Sequence, residues 1–296
     1  MSRRGWLLFA ALGVIWGLPY LLIRVAVREV APSTLVFLET APVALLLLPV
    51  IAYRKQLPEL VRRWRPLFAY SMAEMGIAWL MLPRAEEHLS SSITGLLVAM
   101  VPIVGALLAR LSGDEEHFTR RQVQGLVLGL VGVALILGIN IRGTTVWPIA
   151  SVLVAVVCLA LGPRIVVRHL SDLPGLDVVA ASLTITAIVY APFALTNLPA
   201  HLSTEVIGSL VGLALVTTLV GFLIFFALIN EIGAVRATVV NFVNPAVAIV
   251  LGILLLGEPF TLGLGLGFPL VIAGSVLASH LDSGAATRSS PGLKGL

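Results

Sequence analysis

The chain contains 296 residues with a formal net charge of +4, and 58% of its residues are hydrophobic while only 11% are charged. Soluble globular domains carry about 25% charged residues, so this composition excludes a soluble protein and predicts an integral membrane protein. The basic residues lie mainly at segment ends, which indicates membrane topology rather than nucleic-acid binding. The single cysteine, Cys158, excludes a disulfide framework.

The first apolar run follows Arg3 and Arg4, as it would in a signal peptide. It continues to Ile23 without an Ala-x-Ala cleavage site, so we predict that it is retained as a membrane helix. Apolar runs of membrane length satisfy their own backbone hydrogen bonds in a bilayer as helices. We therefore predict an all-α membrane protein with ten transmembrane helices, at 6–23, 34–53, 67–83, 90–111, 122–140, 146–163, 177–198, 206–229, 234–256 and 262–280.

The second half of the sequence repeats the pattern of the first. Pro102 and Pro245 are 143 positions apart, as are Glu115 and Glu258, and in both halves the pair belongs to an apolar run and the stop that follows it. Five crossings per half would invert the second half relative to the first. We therefore predict two inverted five-helix repeats, related by a pseudo-two-fold axis in the membrane plane.

We expect the first repeat at 5–140, the second at 146–280 and a disordered cytoplasmic tail at 281–296, which is small, polar and interrupted by proline. With the N-terminus inside, 15 of the 19 lysines and arginines fall on the cytoplasmic side. The positive-inside rule then places both termini in the cytoplasm, in a multi-pass protein of the cell (inner) membrane. The four basic residues on the outer side are Arg24, Arg28, Arg84 and Arg142.

The ninth run, 234–256, carries polar groups within an apolar sequence. Thr238, Asn241 and Asn244 recur every third residue and would share one helix face. Pro245 has no N–H, so the carbonyl of Asn241 would lack its usual helical partner. An opened, polar helix at membrane depth is tolerated only against protein or a water-filled cavity. We predict that Asn241 and Asn244 line a substrate cavity.

Two acidic residues fall inside apolar runs, Glu39 in the second and Glu74 near the middle of the third. A charge at membrane depth costs roughly 2.5 to 3.5 kcal/mol on insertion scales, so each needs a physical reason. Either carboxyl could face the cavity and bind a proton or a cationic substrate group. The alternatives are a structural ion pair with Arg24 or Arg84 and, for Glu39, exposure at a frayed helix end.

Prolines and aromatic residues complete the candidate site. A proline bends a transmembrane helix, and bends at matching places in the two halves would suit a rocking transporter or would only shape the bundle. The candidate hinges are Pro19, Pro102, Pro163 and Pro245. The aromatic candidates for the cavity wall are Trp16, Tyr20 and Trp79, which could equally be packing or interfacial residues.

No cofactor or metal site is predicted. The glycines of 262–268 lack the G-x-G-x-x-G spacing, and we assign them to close helix packing, together with Gly125, Gly129, Gly132 and Gly274. The five histidines are scattered, with no two at ligand spacing.

These features together resemble the drug/metabolite transporter superfamily, in its branch with tandem EamA-type domains. The likeness rests on VNPAVAIVLGILLLGEP with the preceding INEIGAVRAT, on IWG followed by a proline and a basic residue, and on the glycine repeats of the fifth and tenth runs. It implies a ten-helix inverted-repeat carrier that exports metabolites, amino acids or toxic compounds. One departure is Glu39, where the family tends to carry a basic residue after the motif proline, here Pro32.

The sequence therefore predicts a secondary active transporter that exports a small metabolite, amino acid or drug-like compound by alternating access, with proton coupling as one possible drive. We predict no enzymatic activity and no nucleic-acid partner; the bilayer and a small-molecule substrate are the expected partners. Two alternatives stay open, an intramembrane lipid-modifying enzyme and a non-transporting structural or sensory membrane protein. The first lacks a recognisable nucleophile–base or metal motif.

Overall fold

A computed structural model describes residues 2–112, 120–140, 146–233 and 237–279. The predicted tail 281–296, Glu115 and the first residues of the ninth run lie outside these ranges. The described residues form helices and connecting turns without a strand. The all-α prediction is confirmed.

Fifteen α-helices are described, and we number them in chain order. The first eight are α1 (Arg3–Ile15), α2 (Leu18–Ala26), α3 (Pro32–Tyr53), α4 (Leu57–Arg62), α5 (Trp64–Ser71), α6 (Ala78–Glu86), α7 (Ser91–Val98) and α8 (Val101–Leu111). The others are α9 (Arg120–Asn140), α10 (Val146–His169), α11 (Gly175–Thr196), α12 (Thr204–Val211), α13 (Gly221–Ile232), α14 (Asn244–Leu256) and α15 (Leu262–Ser279). Two π-helical segments, Met72–Ile77 and Gly212–Val220, join α5 to α6 and α12 to α13, and a 3₁₀ segment, Thr238–Phe242, precedes α14.

Seven spans among these residues are long and apolar enough to cross a membrane. They are Arg3–Ala26, Pro32–Tyr53, Ser91–Leu111, Val146–His169, Gly175–Thr196, Thr204–Ile232 and Val239–Leu256. The third, fifth and tenth predicted runs are helical too, but they are not among the seven spans. Helices α9 and α15 contribute shorter apolar helices, and the segment from α5 to α6 contains the π segment Met72–Ile77. The protein is thus a multi-pass membrane protein, whereas ten crossings stay a prediction.

The ninth predicted run is not one continuous α-helix, which corrects the sequence prediction. Its first described turns wind as a 3₁₀ segment, and α14 begins only at Asn244. Pro245 occupies the first turn of α14, where its missing N–H costs nothing. The first run is likewise divided, because α1 ends at Ile15 and α2 begins at Leu18.

Antiparallel pairs join the helices before residue 140 to those after residue 146. Helix α3 lies along α11 over its whole length: the Thr34 hydroxyl donates to the Asn197 carbonyl at 3.5 Å at one end, and Arg54 pairs with Asp177 at 3.4 Å at the other. The α1–α2 segment lies along α12–α13 in the same manner, and the segment from α5 to α6 lies along α10. The largest cluster of fully buried apolar side chains fills the space between α3, α5 and α11.

Glycines allow the closest of these contacts, between α9 and α15. A Cβ placed on Gly274 would lie 2.5 Å from the Gly129 nitrogen and 2.6 Å from the Gly125 oxygen. A Cβ on Gly132 would lie 2.9 Å from the Gly267 oxygen. The two backbones therefore touch along a glycine seam, as membrane helices do when small residues line their interface. The prediction of close helix packing for these glycines is confirmed.

Candidate functional site

Two π-helical segments lie at corresponding places in the two halves of the chain. Met72–Ile77 contains Glu74, and Gly212–Val220 contains Thr218, which binds the other intramembrane acid, Glu39. A π segment shifts the backbone hydrogen bonds of a helix by one residue and is often found at functional sites. Each half of the chain thus presents an irregular helix beside one carboxyl group.

Glu74 lies against α10, where a glycine leaves room for it. A Cβ on Gly162 would overlap the Oε2 atom of Glu74, so the carboxyl group occupies the space that any larger residue would fill. Oε2 is buried and has no hydrogen-bond partner among the described residues. The Cys158 thiol lies one helical turn before Gly162, within electrostatic range of Glu74. Trp79 packs half-buried against the neighbouring apolar clusters.

Glu39 has a different environment. Its side chain is only 6% exposed, and the Thr218 hydroxyl donates to Oε1 at 2.8 Å. The alternatives of an ion pair with Arg24 or Arg84, or of a frayed helix end, are therefore wrong for this residue. Burial with a hydroxyl partner makes Glu39 part of the contact between α3 and the second π segment.

Trp16 reaches the same π segment from the break between α1 and α2. Its indole N–H donates to the Thr217 carbonyl at 3.3 Å, and Gly221 leaves space for the ring. Phe222 and Phe225 surround the indole, with ring centroids at 5.8 and 4.9 Å. Trp16 and Glu39 thus contact successive residues of one helix, so the structure brings these two predicted site residues together.

Asn241 and Asn244 lie at the junction of the 3₁₀ segment and α14. The Asn244 amide nitrogen is 3.5 Å from the Asn241 oxygen, a long hydrogen bond, and Asn241 is exposed. The side-chain oxygen of Asn244 is buried and has no partner within the described ranges. Gly17 allows the α1–α2 break to approach this junction, since a Cβ there would overlap Val247.

Three of the four predicted hinge prolines follow a break in their span. Pro19, Pro102 and Pro245 occupy the first turns of α2, α8 and α14. Pro163 differs, because it lies inside the unbroken helix α10. The helix is thus interrupted just before three of these prolines and is continuous at the fourth. A hinge role for any of them stays a prediction.

Tyr20 belongs to a polar cluster at the end of the bundle where α2 and α6 terminate. We define the Glu86 cluster as Tyr20, Arg24, Glu86, Ser91, Ser92 and Glu258. The Arg24 guanidinium donates to the main-chain carbonyl of Glu86, and the Glu86 side chain lies within electrostatic range of Arg24, Glu258 and the Tyr20 hydroxyl. The sequence analysis gave no role to Glu86, because it follows the third apolar run by three residues.

Glu258 joins α14 to the start of α7. Gly257 adopts a left-handed conformation, with φ of 65°, which ends α14 and turns the next residue back. The Glu258 carboxylate then accepts from the backbone N–H and hydroxyl of Ser91 at 2.7 and 2.8 Å, and from those of Ser92 at 3.0 and 2.5 Å. An anion at a helix N-terminus is stabilised by the free N–H groups and the helix dipole. Glu258 thus caps the N-terminus of α7, where Ser92 lies 166 residues earlier in the chain.

Two cavities open near the same end of the bundle. One of about 550 Å³ lies between α2, α12 and α14, with Arg28 and Glu205 at its edge, and one of about 160 Å³ lies beside Ile93 and Pro259. None of the predicted site residues lines either cavity. The structure therefore places these residues at the two π segments, at the Asn241 junction and in the Glu86 cluster.

The fold, with its several membrane-length apolar helices, defines a multi-pass membrane protein. The chain belongs to the EamA-like transporter family, whose model matches residues 3–138 and, a second time, 146–280. It is 26% identical over 275 residues to an uncharacterized transporter of Archaeoglobus fulgidus, an alignment that covers 91% of this chain and 96% of that protein. It is 28% identical over 261 residues to the uncharacterized inner membrane transporter YedA of Escherichia coli, covering 84% and 81% of the two chains.

A solved structure supports the fold. A crystal structure of a protein with 16% identical residues superposes with a TM-score of 0.59, covering 98% of this chain and 100% of that chain. At this identity the likeness concerns the fold alone. The family and the relatives, which are named as transporters, give the protein its class.

Proposed function

We propose that the protein is a secondary active transporter that exports a small metabolite, amino acid or drug-like compound across the cell (inner) membrane by alternating access. The proposal includes ten crossings arranged as two inverted five-helix repeats, 5–140 and 146–280. The pairing of helices supports this arrangement, because α3 with α11, α9 with α15 and the α7–α8 span with α14 each join equivalent members of the two halves. The pair of α1–α2 with α12–α13 has its counterpart in α10 with α5–α6.

The observation that carries the proposal is the buried Oε2 atom of Glu74, which has no hydrogen-bond partner among the described residues. A buried polar atom without a partner costs free energy comparable to a lost hydrogen bond. Oε2 of Glu74 has no partner in the described part of the chain, and Gly162 keeps the space around it free of a side chain. A group with this environment can take a proton or the cationic group of a substrate in exchange, and alternate binding of the two would couple transport to the proton gradient.

An organic cation is the substrate class that the second π segment favours. Glu39 contributes a buried carboxyl group from α3. Trp16, at the end of α1, and Phe222 and Phe225, on α13, contribute aromatic faces beside the same π segment. Aromatic rings attract a desolvated cation by about 2 kcal/mol each. Slight separation of these side chains would form a site with one acidic group and several rings.

Proteoliposome transport with an imposed pH gradient tests the proposal. We expect accumulation of a radiolabelled quaternary or primary amine in wild-type vesicles. Glu74→Gln, which keeps the shape and removes the titration, should abolish gradient-driven accumulation and flatten its pH dependence. Glu87→Gln is the matched control, since Glu87 is an exposed acid at the end of the same span. An unchanged rate and pH profile for Glu74→Gln would assign this residue a structural role.

Asn241 offers a separate test of the cavity. If it contacts substrate, Asn241→Leu should abolish transport while expression stays near the wild-type level. Loss of the protein from the membrane would instead indicate that Asn241 holds helices together, where one interhelical hydrogen bond contributes about 0.6 kcal/mol on average.

Thiol labelling of intact cells tests the proposed orientation. After Cys158→Ser, single cysteines at Ser2 and at Ser289, the latter outside the described residues, should both be protected from a membrane-impermeant reagent. Labelling of one terminus alone would contradict an even number of crossings.

A further inference from the structure

Glu86 is the most isolated acidic side chain in the described residues. It is fully buried, with 0% of its surface exposed, and neither carboxyl oxygen has a hydrogen-bond partner among those residues. Its location makes this unexpected, because Glu86 is the last residue of α6 and Glu87 beside it is exposed. Because Glu86 lies at the end of α6, its position on that helix does not explain its burial. Other helices therefore shield the carboxyl group from water.

The burial of Glu86 without hydrogen-bond donors favours its neutral form. Arg24 on α2 directs its guanidinium to the Glu86 main-chain carbonyl and not to the carboxyl oxygens. The donors at the start of α7 are used by Glu258, whose carboxylate accepts from two backbone N–H groups and two hydroxyls there. No donor among the described residues reaches the Glu86 oxygens, so an ionised Glu86 would be a buried negative charge without hydrogen bonds. Burial of such a charge without donors is strongly unfavourable.

Helices α2, α3, α7 and α10 pack against α6. The charged or titratable side chains of α3 and α10 are Glu39, Tyr53, Cys158, Arg164, Arg168 and His169, and the groups of the Glu86 cluster come from the other elements. Tyr20 and Arg24 come from α2, Ser91 and Ser92 from α7, and Glu258 follows α14. Arg84 and Glu87 are the other charged residues near Glu86 on its own span. Of these elements, α2, α6 and α7 precede residue 140, whereas Glu258 belongs to the half after residue 146. The enclosure therefore depends on contact between the two halves.

We propose that Glu86 is a proton-binding site whose occupancy is linked to closure of this end of the bundle. When Glu258 leaves the start of α7, water reaches Glu86, its proton passes to water, and the carboxylate is free to pair with Arg24. When the two halves close again, Glu86 takes up one proton from water. The inference rests on the proposed alternating access and adds a second titrating group to it, at the end of the bundle opposite the cytoplasmic termini.

The direction of the pH effect follows from this linkage. Closure binds one proton, so acidification favours the closed end and alkalinisation favours the open end. The ratio of open to closed protein changes by up to about tenfold per pH unit while Glu86 titrates. The proposal thus concerns an equilibrium that is measurable without any substrate.

A cysteine at Ile93 reports the opening. Ile93 is half-buried and lines the 160 Å³ cavity together with Ser92 and Pro259, next to the cluster. In purified full-length protein that carries Cys158→Ser and Ile93→Cys, the rate of thiol labelling is measured across a pH series. Glu87→Gln in the same background is the matched control, because it removes an exposed acid one residue away and shares the intrinsic pH dependence of the thiol.

We expect Glu86→Gln to label slowly at every pH, so that its rate falls roughly tenfold or more below the Glu87→Gln control at high pH and equals it at low pH. Glu86→Asp should keep the pH dependence of the control. Identical profiles for Glu86→Gln and Glu87→Gln would overturn the proposal. So would a failure of both Glu86→Gln and Glu86→Met to fold, because the proposal requires a neutral side chain to be tolerated here. A labelling rate that follows sodium concentration and not pH would also overturn it.

The labelling result is independent of the transport assay. If Glu74→Gln leaves transport unchanged while Glu86→Gln removes the pH-dependent opening, the proton site at Glu86 stands and the proposed role of Glu74 falls. If the reverse holds, proton coupling through Glu74 stands without a proton site at Glu86.

Discussion

Substitution of Glu258 should weaken the contact between the two halves of the protein more than substitution of an exposed acid does. Glu258→Gln keeps one acceptor oxygen and replaces the other with an amide that faces a backbone N–H and a hydroxyl of the α7 start. Hydrogen bonds to a charged group contribute about 1.5 to 3 kcal/mol each, and the helix dipole adds about 0.5 kcal/mol for the lost charge. Two weakened bonds give a gross effect near 5 kcal/mol, which partial exposure of Glu258 reduces to about 3 kcal/mol.

The expected loss corresponds to a fall of roughly 6 to 12 °C in unfolding temperature, if each kcal/mol shifts the midpoint by about 2 to 4 °C. Thermal unfolding of the purified protein in detergent provides the measurement. Glu205→Gln is the control: Glu205 is an exposed acid 3.9 Å from Arg28 and should change the midpoint little, because exposed ion pairs contribute about 0 to 1 kcal/mol. Equal midpoints for the two variants would refute the cap described for Glu258.

Three further predictions follow from single positions. Gly162→Ala should abolish transport, because its Cβ would displace the Glu74 carboxyl group, whereas Gly105→Ala, with no described atom within 4 Å of its Cβ, should leave the rate unchanged in the same vesicle assay. Gly274→Ala should lower the unfolding temperature by separating α9 from α15, while Gly208→Ala, whose Cβ also meets open space, should not. The Ser203 N–H donates to Glu29 at 2.8 Å and holds the pKa of that exposed carboxyl below its usual value of 4.5, so this contact stabilises the fold above pH 4.5 and is lost as the pH falls below it. Glu29→Gln should remove that part of the acid sensitivity, as measured by unfolding midpoints on either side of pH 4.5; an unchanged acid profile would contradict it.

Local properties of the sequence were sufficient to predict the class of protein. Long apolar runs form helices in a bilayer regardless of what lies beside them, since each helix satisfies its own backbone hydrogen bonds. Close packing of Gly125, Gly129, Gly132 and Gly274 was predictable for a similar reason, because their lack of a side chain favours a helix contact in any bundle. The break at Asn241 was foreseen as an opened carbonyl but not as a 3₁₀ segment.

The sequence alone placed Glu39 and Glu74 at membrane depth, in the second and third apolar runs of the first repeat. Composition and periodicity, which are properties of neighbouring residues, therefore determined the membrane class, the helices and the acids that need an explanation. Only the tertiary structure decided the partners, since Thr218 lies 179 residues from Glu39 and Ser91 lies 167 residues from Glu258. The importance of Glu86 was hidden for the same reason: its position at a helix end predicts exposure, whereas helices α2, α3, α7 and α10 pack against α6 and the residue is buried. Whether a carboxyl group is paired, isolated or exposed depends on contacts between distant segments, which no local pattern contains.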